Sequence, residues 1–394
     1  MNRIRLLNCL FVLPILFSCG TLYNYEVEPY MPLGMIDKNG EYISLLNTVV
    51  SLQMYNQDEL KEIKNDYDKL MKKAHGLFDA YHSYYGYIGL FDLNESYGSN
   101  QEIVVDSYLF DIISKAIDLT ILSDGIFNLT MGQVIDAWKE KFESEQTYTS
   151  LPHKEILSKT LESVVEPYLL KDVIVLNEEN SSIKLNSTKE RYLINLGAIS
   201  KGYALDMVSS LFENNQPAII NAGTSSIAFK GEFRLSNRDY YVVNLREPKP
   251  NAETLKAVAK IKCESYTNIS SSGDYEKYIY ATDDENKLYH HILDANTGYS
   301  NTYHASATVT SKCDSYILDC LSTVLMNLES IEDIKSMVSK FETYANEKIE
   351  FMIINRISNM YEAYVSPGFD ENIIETNNQL VEKKIIVWWS FIFY

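Results

Sequence analysis

Asp319 and Thr323 stand four residues apart in "DCLSTVL". On a helix that spacing puts both side chains on one face. A carboxylate and a hydroxyl together suit a hard cation such as Mg2+, which takes oxygen ligands. Leu318, Leu321, Val324 and Leu325 flank the pair, so the segment reads as mostly buried, and a buried aspartate needs a partner. A solvated or capping pair is the plainer alternative.

"NLGAISKGYALD" (195–206) reads as a strand that meets a glycine turn and then a helix. Gly197 and Gly202 permit unusual backbone angles and close approach by a ligand. Lys201 and the free amides of a helix start favour phosphate. A plain strand-to-helix junction with a surface lysine fits the same letters. "YHHILDANTGYS" (289–300) holds two of the chain's six histidines. Successive strand side chains point to opposite faces, so His290 and His291 do not easily share one metal. One is expected to face a site and the other to pack. An imidazole suits proton transfer near neutral pH, and Asp294 is placed to orient a ring or shape the turn. "ISSSGDYEKY" (269–278) and "NAGTSSIAFKG" (221–231) put small residues where a backbone can touch a ligand. Each alone is equally a simple turn.

The elements that must position these groups follow from periodicity. Helices are expected over 57–80, over 106–122 with Asp106 as N-cap, in "YALDMVSSLFENN", and over 312–328. "SDGIFNLTMGQVIDAW" reads as a turn into a short helix, and 140–168 as further short helices. "KDVIVLNEENSSIKLN" alternates like a hairpin turning at "NEEN". "RYLINL", "PAIINAG", "YYVVNLREP", "KLYHH", "ASATVTS" and two stretches near 349–365 read as strands. "YHSYYGYIGLFDLNESYGSN" reads as loop. Irregular alternation with hairpins implies a mixed α+β fold with antiparallel sheet. The tail beyond Phe369 ends "EKKIIVWWSFIFY", too short an apolar run to span a bilayer as a helix, and is expected as an added edge strand.

Composition sets limits. The 394 residues are 46% hydrophobic and 23% charged, enough for a sizeable core in one large or two ordinary domains. A net charge of −19 excludes a nucleic-acid binder, which needs a basic stripe. An anionic ligand therefore needs a local positive feature or a metal ion. Arg3 and Arg5 precede the apolar run "LLNCLFVLPILF", which ends at "LFSCG". That order reads as a bacterial lipoprotein signal over 1–19 with Cys19 lipidated. It predicts a protein of the cell envelope, lipid-anchored to a membrane and facing the periplasm or exterior, with 20–40 as linker. Beyond Cys19 only Cys263, Cys313 and Cys320 remain, without a CxxC pair, which argues against a thiolate zinc site. Cys313 and Cys320 would lie about 10 Å apart on a helix, too far for a disulfide.

The order of the pieces along the chain is more specific than any one of them. "SDGIFNLTMGQVIDAWK", "NLGAISKGYALD", "NAGTSSIAFKG", "LREP", "SSSGDYEKY", "HHILDANTGYS" and "SATVTSKCDSYILDCLSTVL" follow one another. Together they resemble the ApbE family, the FAD:protein FMN transferases, over roughly 40–369. The resemblance implies a T-fold-like α+β architecture with mixed and antiparallel sheets and an FAD cleft in a domain over 41–369, followed by a 370–394 extension. It implies Mg2+ held by Asp319, Thr323 and the backbone oxygen of Ala198. It implies FAD contacts from Met131, Trp138, Gly197, Lys201, Gly202, Tyr203, Asp206, Ser272, Gly273, Asp274 and His291. It implies transfer of FMN from FAD to a threonine or serine hydroxyl of an acceptor protein, with release of AMP. In that scheme His291 is the expected general base, and Asp294 orients it or holds the turn. The alternatives are an FAD pyrophosphatase and a non-catalytic flavin-binding lipoprotein. The chain departs from the family pattern at Asn128 and Asn195, where aspartate is usual, at Thr224, where glycine is frequent, and at Ser271, where threonine is usual.

Overall fold

The computed structural model describes residues 29–54, 56–144, 146–212, 217–232, 239–250, 256–358 and 360–386. Thirteen strands matter below: β1 (Val50–Met54), β2 (Ala218–Ala222), β3 (Ser226–Lys230), β4 (Tyr241–Arg246), β5 (Ala257–Cys263), β6 (Asn268–Gly273), β7 (Tyr278–Ala281), β8 (Lys287–His290), β9 (Ser306–Ser311), β10 (Glu350–Ile357), β11 (Met360–Val365), β12 (Ile373–Thr376) and β13 (Leu380–Ile385). Eight of them form one sheet in the order β13-β11-β10-β9-β6-β3-β2-β1. Its neighbours are antiparallel except β11 and β13, which run parallel. β4, β5 and β12 form a second sheet.

The period of two along β10 shows how the layers arise. Phe351 and Ile353 join the core shared with the helices, while Met352 and Ile354 join the core shared with the small sheet. Helices cover one face of the large sheet, and the three-stranded sheet covers the other. The fold is therefore α+β with mixed and antiparallel sheets, and no closed barrel forms among the described residues.

Six helices matter to the site: α1 (Gln57–Phe78), α2 (Ser107–Leu122), α3 (Gly132–Glu143), α4 (Ser200–Ser209), α5 (Ser315–Leu325) and α6 (Ile331–Ala345). Asn56 caps α1 by accepting from the Asp58 and Glu59 amides. Leu60, Tyr67, Met71, Ala74 and Phe78 then form its buried stripe. Asp106 caps α2 as expected, accepting from the Tyr108 amide at 3.1 Å. A third core gathers Trp138 and Val134 of α3 with Ile279 of β7 and Tyr289 of β8.

Two local expectations are corrected. "RYLINL" makes only a single bridge, Leu193 to Met131. The Asn94 side chain takes both the amide and the carbonyl of Ile194, replacing a neighbouring strand. The segment read as loop contains a helix, Leu90–Glu95, begun by the Asp92 carboxylate on the Gly89 amide. The described part of the expected linker is folded: Tyr30 exchanges two backbone hydrogen bonds with Leu52, and Met35–Ile36 pairs with Tyr42–Ile43. Beyond Phe369 the chain supplies β12 and then β13, an edge strand of the large sheet. Cys19 lies outside the described residues. No described helix is long and apolar enough to cross a membrane.

Candidate active site

A cleft of about 650 Å3 opens between the large sheet, α3, the start of α4 and the loop after α1. That volume lies within the range of about 300–1,000 Å3 usual for small-molecule sites. At one end stands α5, packed across β6 and β9. It presents Asp319, 3% exposed, and Thr323 to the cleft. Asp319 Oδ1 accepts from Ser226 Oγ at 3.0 Å and Ser270 Oγ at 3.1 Å. Oδ2 accepts from the Gly202 amide at 2.9 Å. A carboxylate offers about four lone-pair positions, so one stays available after these three bonds. Lys201 Nζ lies 3.9 Å from Oδ1. Thr323 Oγ1 donates to the Asp319 carbonyl at 3.2 Å and lies 3.4 Å from Ser272 Oγ, which leaves it a lone pair for the cleft. Ala198 also lines the cleft. The Gly202 amide turns to Asp319 rather than to the Ala198 carbonyl four residues back. A carboxylate, a hydroxyl and a carbonyl form an all-oxygen donor set, which fits a hard divalent cation.

The Asp319 position depends on Gly202. A Cβ there would sit 2.3 Å from the Ser315 carbonyl oxygen, so only glycine lets α4 approach α5 this closely. Gly202 therefore works through helix packing and its amide, away from the cleft lining.

His291 follows β8 on the cleft wall. Its amide donates to the Lys277 carbonyl at 3.0 Å, and its Nδ1 lies 3.3 Å from the same oxygen. A carbonyl only accepts, so Nδ1 carries the proton and Nε2 is the free lone pair. Enclosure by the cleft, then the charges of His290, Lys277 and Lys201, lowers its pKa. The ring is open to solvent within the cleft, which tempers the effect of enclosure. His290 is fully buried on the other face, with Nε2 donating to the Asn301 carbonyl at 2.6 Å and Nδ1 accepting from the Ile292 amide. Asp294 holds the turn: it accepts from the Asn296 amide at 2.8 Å and from Asn301 Nδ2 at 3.2 Å. Its carboxylate is engaged with the turn rather than with the His291 ring. Trp138, fully buried, donates from Nε1 to the Gly298 carbonyl at 2.7 Å and ties α3 to that turn.

Met131, Trp138, Gly197, Lys201, Ser272, Gly273 and His291 all line the cleft. Tyr203, Asp206 and Asp274 do not. Tyr203 donates to Asp111 at 2.5 Å and packs its edge against Phe78. Asp206 accepts from the Ser315 and Tyr316 amides at 2.8 and 3.0 Å, capping α5, and burial pushes its pKa up to about 7. Asp274 is held by Arg356 through two hydrogen bonds. The family departures also have local partners. Asn128 bonds the Val165 carbonyl and Thr130, and Asn195 accepts from the Gly197 amide. Thr224 donates to Glu276, and Ser271 pairs with Thr308.

Sequence reasoning missed other cleft groups. Lys139 and Lys277 add positive charge, and Lys139 Nζ sits 3.4 Å from the Tyr81 ring centroid. His75 and Asp79 line the cleft above a buried network. His75 Nδ1 accepts from the Leu46 amide, so its Nε2 donates to Tyr84, which donates to Asp79. Burial lowers the His75 pKa to about 4 and keeps the ring neutral. Their i, i+4 spacing on a helix end was a visible signal; Tyr84 was not. Asp37, Glu41 and His82 gather nearby, but Asp37 is engaged by the Asn39 and Glu41 amides and His82 by Asp79.

An α+β chain with an oxygen cluster, lysines and a tautomer-fixed histidine on one cleft is thus defined. The ApbE family model matches residues 46–346, and the chain belongs to the ApbE family. It is 25% identical over 286 residues to the FAD:protein FMN transferase of Klebsiella pneumoniae, which covers 72% of this chain and 80% of that one. The solved ApbE protein of Thermotoga maritima superposes with a TM-score of 0.64 at 22% identity, covering 83% of this chain and 94% of that one. The flavin transferase ApbE of Vibrio cholerae gives 0.64 at 18% identity, covering 88% and 98%. At these identities the structural likeness speaks for the fold.

Proposed function

We propose that this protein is an Mg2+-dependent FAD:protein FMN transferase. The observation that carries the reading is the placement of Asp319, Thr323, Ala198 and His291 on one cleft, with Lys201 beside Asp319. The names of the curated relatives point the same way. Asp319, Thr323 and the Ala198 carbonyl would hold the ion, which when bound supplies charge neutralisation to a pyrophosphate. Lys201 and the amides at the start of α4 add to it. Positioning and charge then provide most of the rate in phosphoryl transfer. His291 Nε2 takes the proton of the acceptor serine or threonine hydroxyl. The hydroxyl oxygen bonds to the phosphorus on the FMN side, and the bond to the bridging oxygen breaks. AMP leaves with that oxygen. The Nδ1 proton on the Lys277 carbonyl leaves Nε2 as the lone pair facing the cleft, as a base requires. The Cys19 signal supports a lipid-anchored location in the cell envelope.

Incubation with FAD and Mg2+, with and without an acceptor, tests this by following AMP. AMP that requires acceptor, with FMN covalently attached, is the expected result. AMP and free FMN without acceptor would make the protein a pyrophosphatase. His291→Ala is expected to lower transfer by about a hundredfold or more while FAD still binds; undiminished transfer would remove His291 as the base.

A further inference from the structure

We infer that Arg356, on β10, is a positioning residue for His291, an inference that rests on His291 being the base. Arg356 Nη1 and Nη2 donate to Asp274 Oδ2 and Oδ1 at 2.8 and 2.9 Å, and Nη2 also donates to the Pro248 carbonyl at 2.7 Å. The Asp274 side chain is 6% exposed, so its geometry is set by this fork rather than by water. Asp274 opens the short segment that leaves β6 and ends at Lys277. Its amide is fixed on the Ala305 carbonyl at 3.1 Å. Further along, Glu276 pairs with Arg246 at 2.8 Å, and the Arg246 guanidinium stacks over Tyr275. Two arginines thus tether the segment by its acidic side chains.

The segment ends in the group that matters to the chemistry. The Lys277 carbonyl receives both the His291 amide and the His291 Nδ1 proton. It therefore decides which ring nitrogen carries the lone pair, in the way outer partners fix the tautomer of functional histidines. Arg356 reaches none of the cleft-lining atoms itself. It lies 82 residues from Asp274 in the chain and beyond the residues matched by the family model. A plain ion pair would add stability only; a positioning residue also sets the tautomer of His291.

The test separates these. Arg356→Met/Asp274→Asn removes both charges, so no carboxylate stays buried without its partner. Nitrogen NMR of histidine-labelled protein reports the tautomer, and His291→Asn assigns the His291 signals. The expected result is a folded double variant in which His291 changes from one Nδ1–H tautomer to a mixture. AMP release then falls about two- to tenfold in kcat, in step with the fraction of His291 lost to the other tautomer, with KM for FAD within about twofold. Arg356→Lys should not restore it, since an ammonium cannot reproduce the fork. If the double variant does not fold, Asp274→Asn alone, which keeps the Arg356 contact to Pro248, should show the same shift in part. An unaltered His291 tautomer in the folded variant would overturn the proposal. A shifted tautomer together with full transfer by His291→Ala would uphold the positioning and remove the base role instead.

Discussion

Asp319 is the residue on which the site turns, because three donors meet on a single buried carboxylate and leave one lone pair, the position a bound cation would take. Asp319→Asn keeps the volume but removes the charge and brings an amide N–H toward groups that already donate. We expect Mg2+-supported AMP release to fall about a hundredfold or more, on the scale of losing a preorganised electrostatic contact. A Mg2+ titration of the variant checks this, and an unchanged rate would exclude Asp319 as a ligand. Gly202→Ala would place a methyl 2.3 Å from the Ser315 carbonyl oxygen. Overpacking of that kind costs about 1–3 kcal/mol, readable as a shift in the urea midpoint. The serines around Asp319 were visible as runs in the sequence, yet their role was not. Ser226 and Ser270 face each other only once β3 and β6 are paired in register.

At the scale of elements, α4 and α5 act as one unit. Asp206 on α4 caps the amides of Ser315 and Tyr316, 109 and 110 residues away. Asp206→Ala should destabilise the fold by about 1 kcal/mol, the usual value of such a cap, without changing FAD affinity. A loss of FAD binding with unchanged stability would return Asp206 to the role expected from the sequence. The sign of the pH effect follows from its pKa, raised to about 7 by burial from an ordinary 3.8. Between these values the folded carboxyl holds a proton that the unfolded one has lost. Its contribution is therefore full below pH 3.8 and declines as pH rises toward 7. Asp206→Asn keeps the acceptor and loses that dependence. Its melting temperature relative to wild type should climb from pH 4 to pH 7, and a flat difference would contradict the shift.

For the whole molecule, the large sheet is completed by the tail. β13 pairs with β11, Lys384 bonds Glu362, and the Ile386 amide donates to the Val365 carbonyl. Leu380 and Ile386 pack on two different cores. Ending the chain at Asn377 should lower stability by about 2 kcal/mol from lost apolar burial. It would also expose β11 as an open edge, a template for association. Cleft geometry should survive, because β11 and β13 lie at the edge away from it. Denaturation and light scattering test the first two points, and FAD titration the third. Strong loss of FAD binding in a folded truncation would show that the tail reaches the site.

Local periodicity by itself determined much of this protein. The 3.6-residue stripes mark α1, α2 and α5, Asp106 marks a cap, and the spacing of Asp319 and Thr323 places both on one helix face. Alternation alone separated His290 from His291. The order of the motifs carried the family, and the acidic charge called for a local cation. Tertiary structure decided which histidine was buried, that Asp206 and Asp274 serve packing rather than the cleft, and that Arg356 reaches back to Asp274. It also turned "RYLINL" from a strand into a segment bonded by a side chain. The physical reason is range: helix and strand periods are set by neighbours a few residues apart, whereas these contacts join segments brought together only when the sheet and helix layers bury their shared faces.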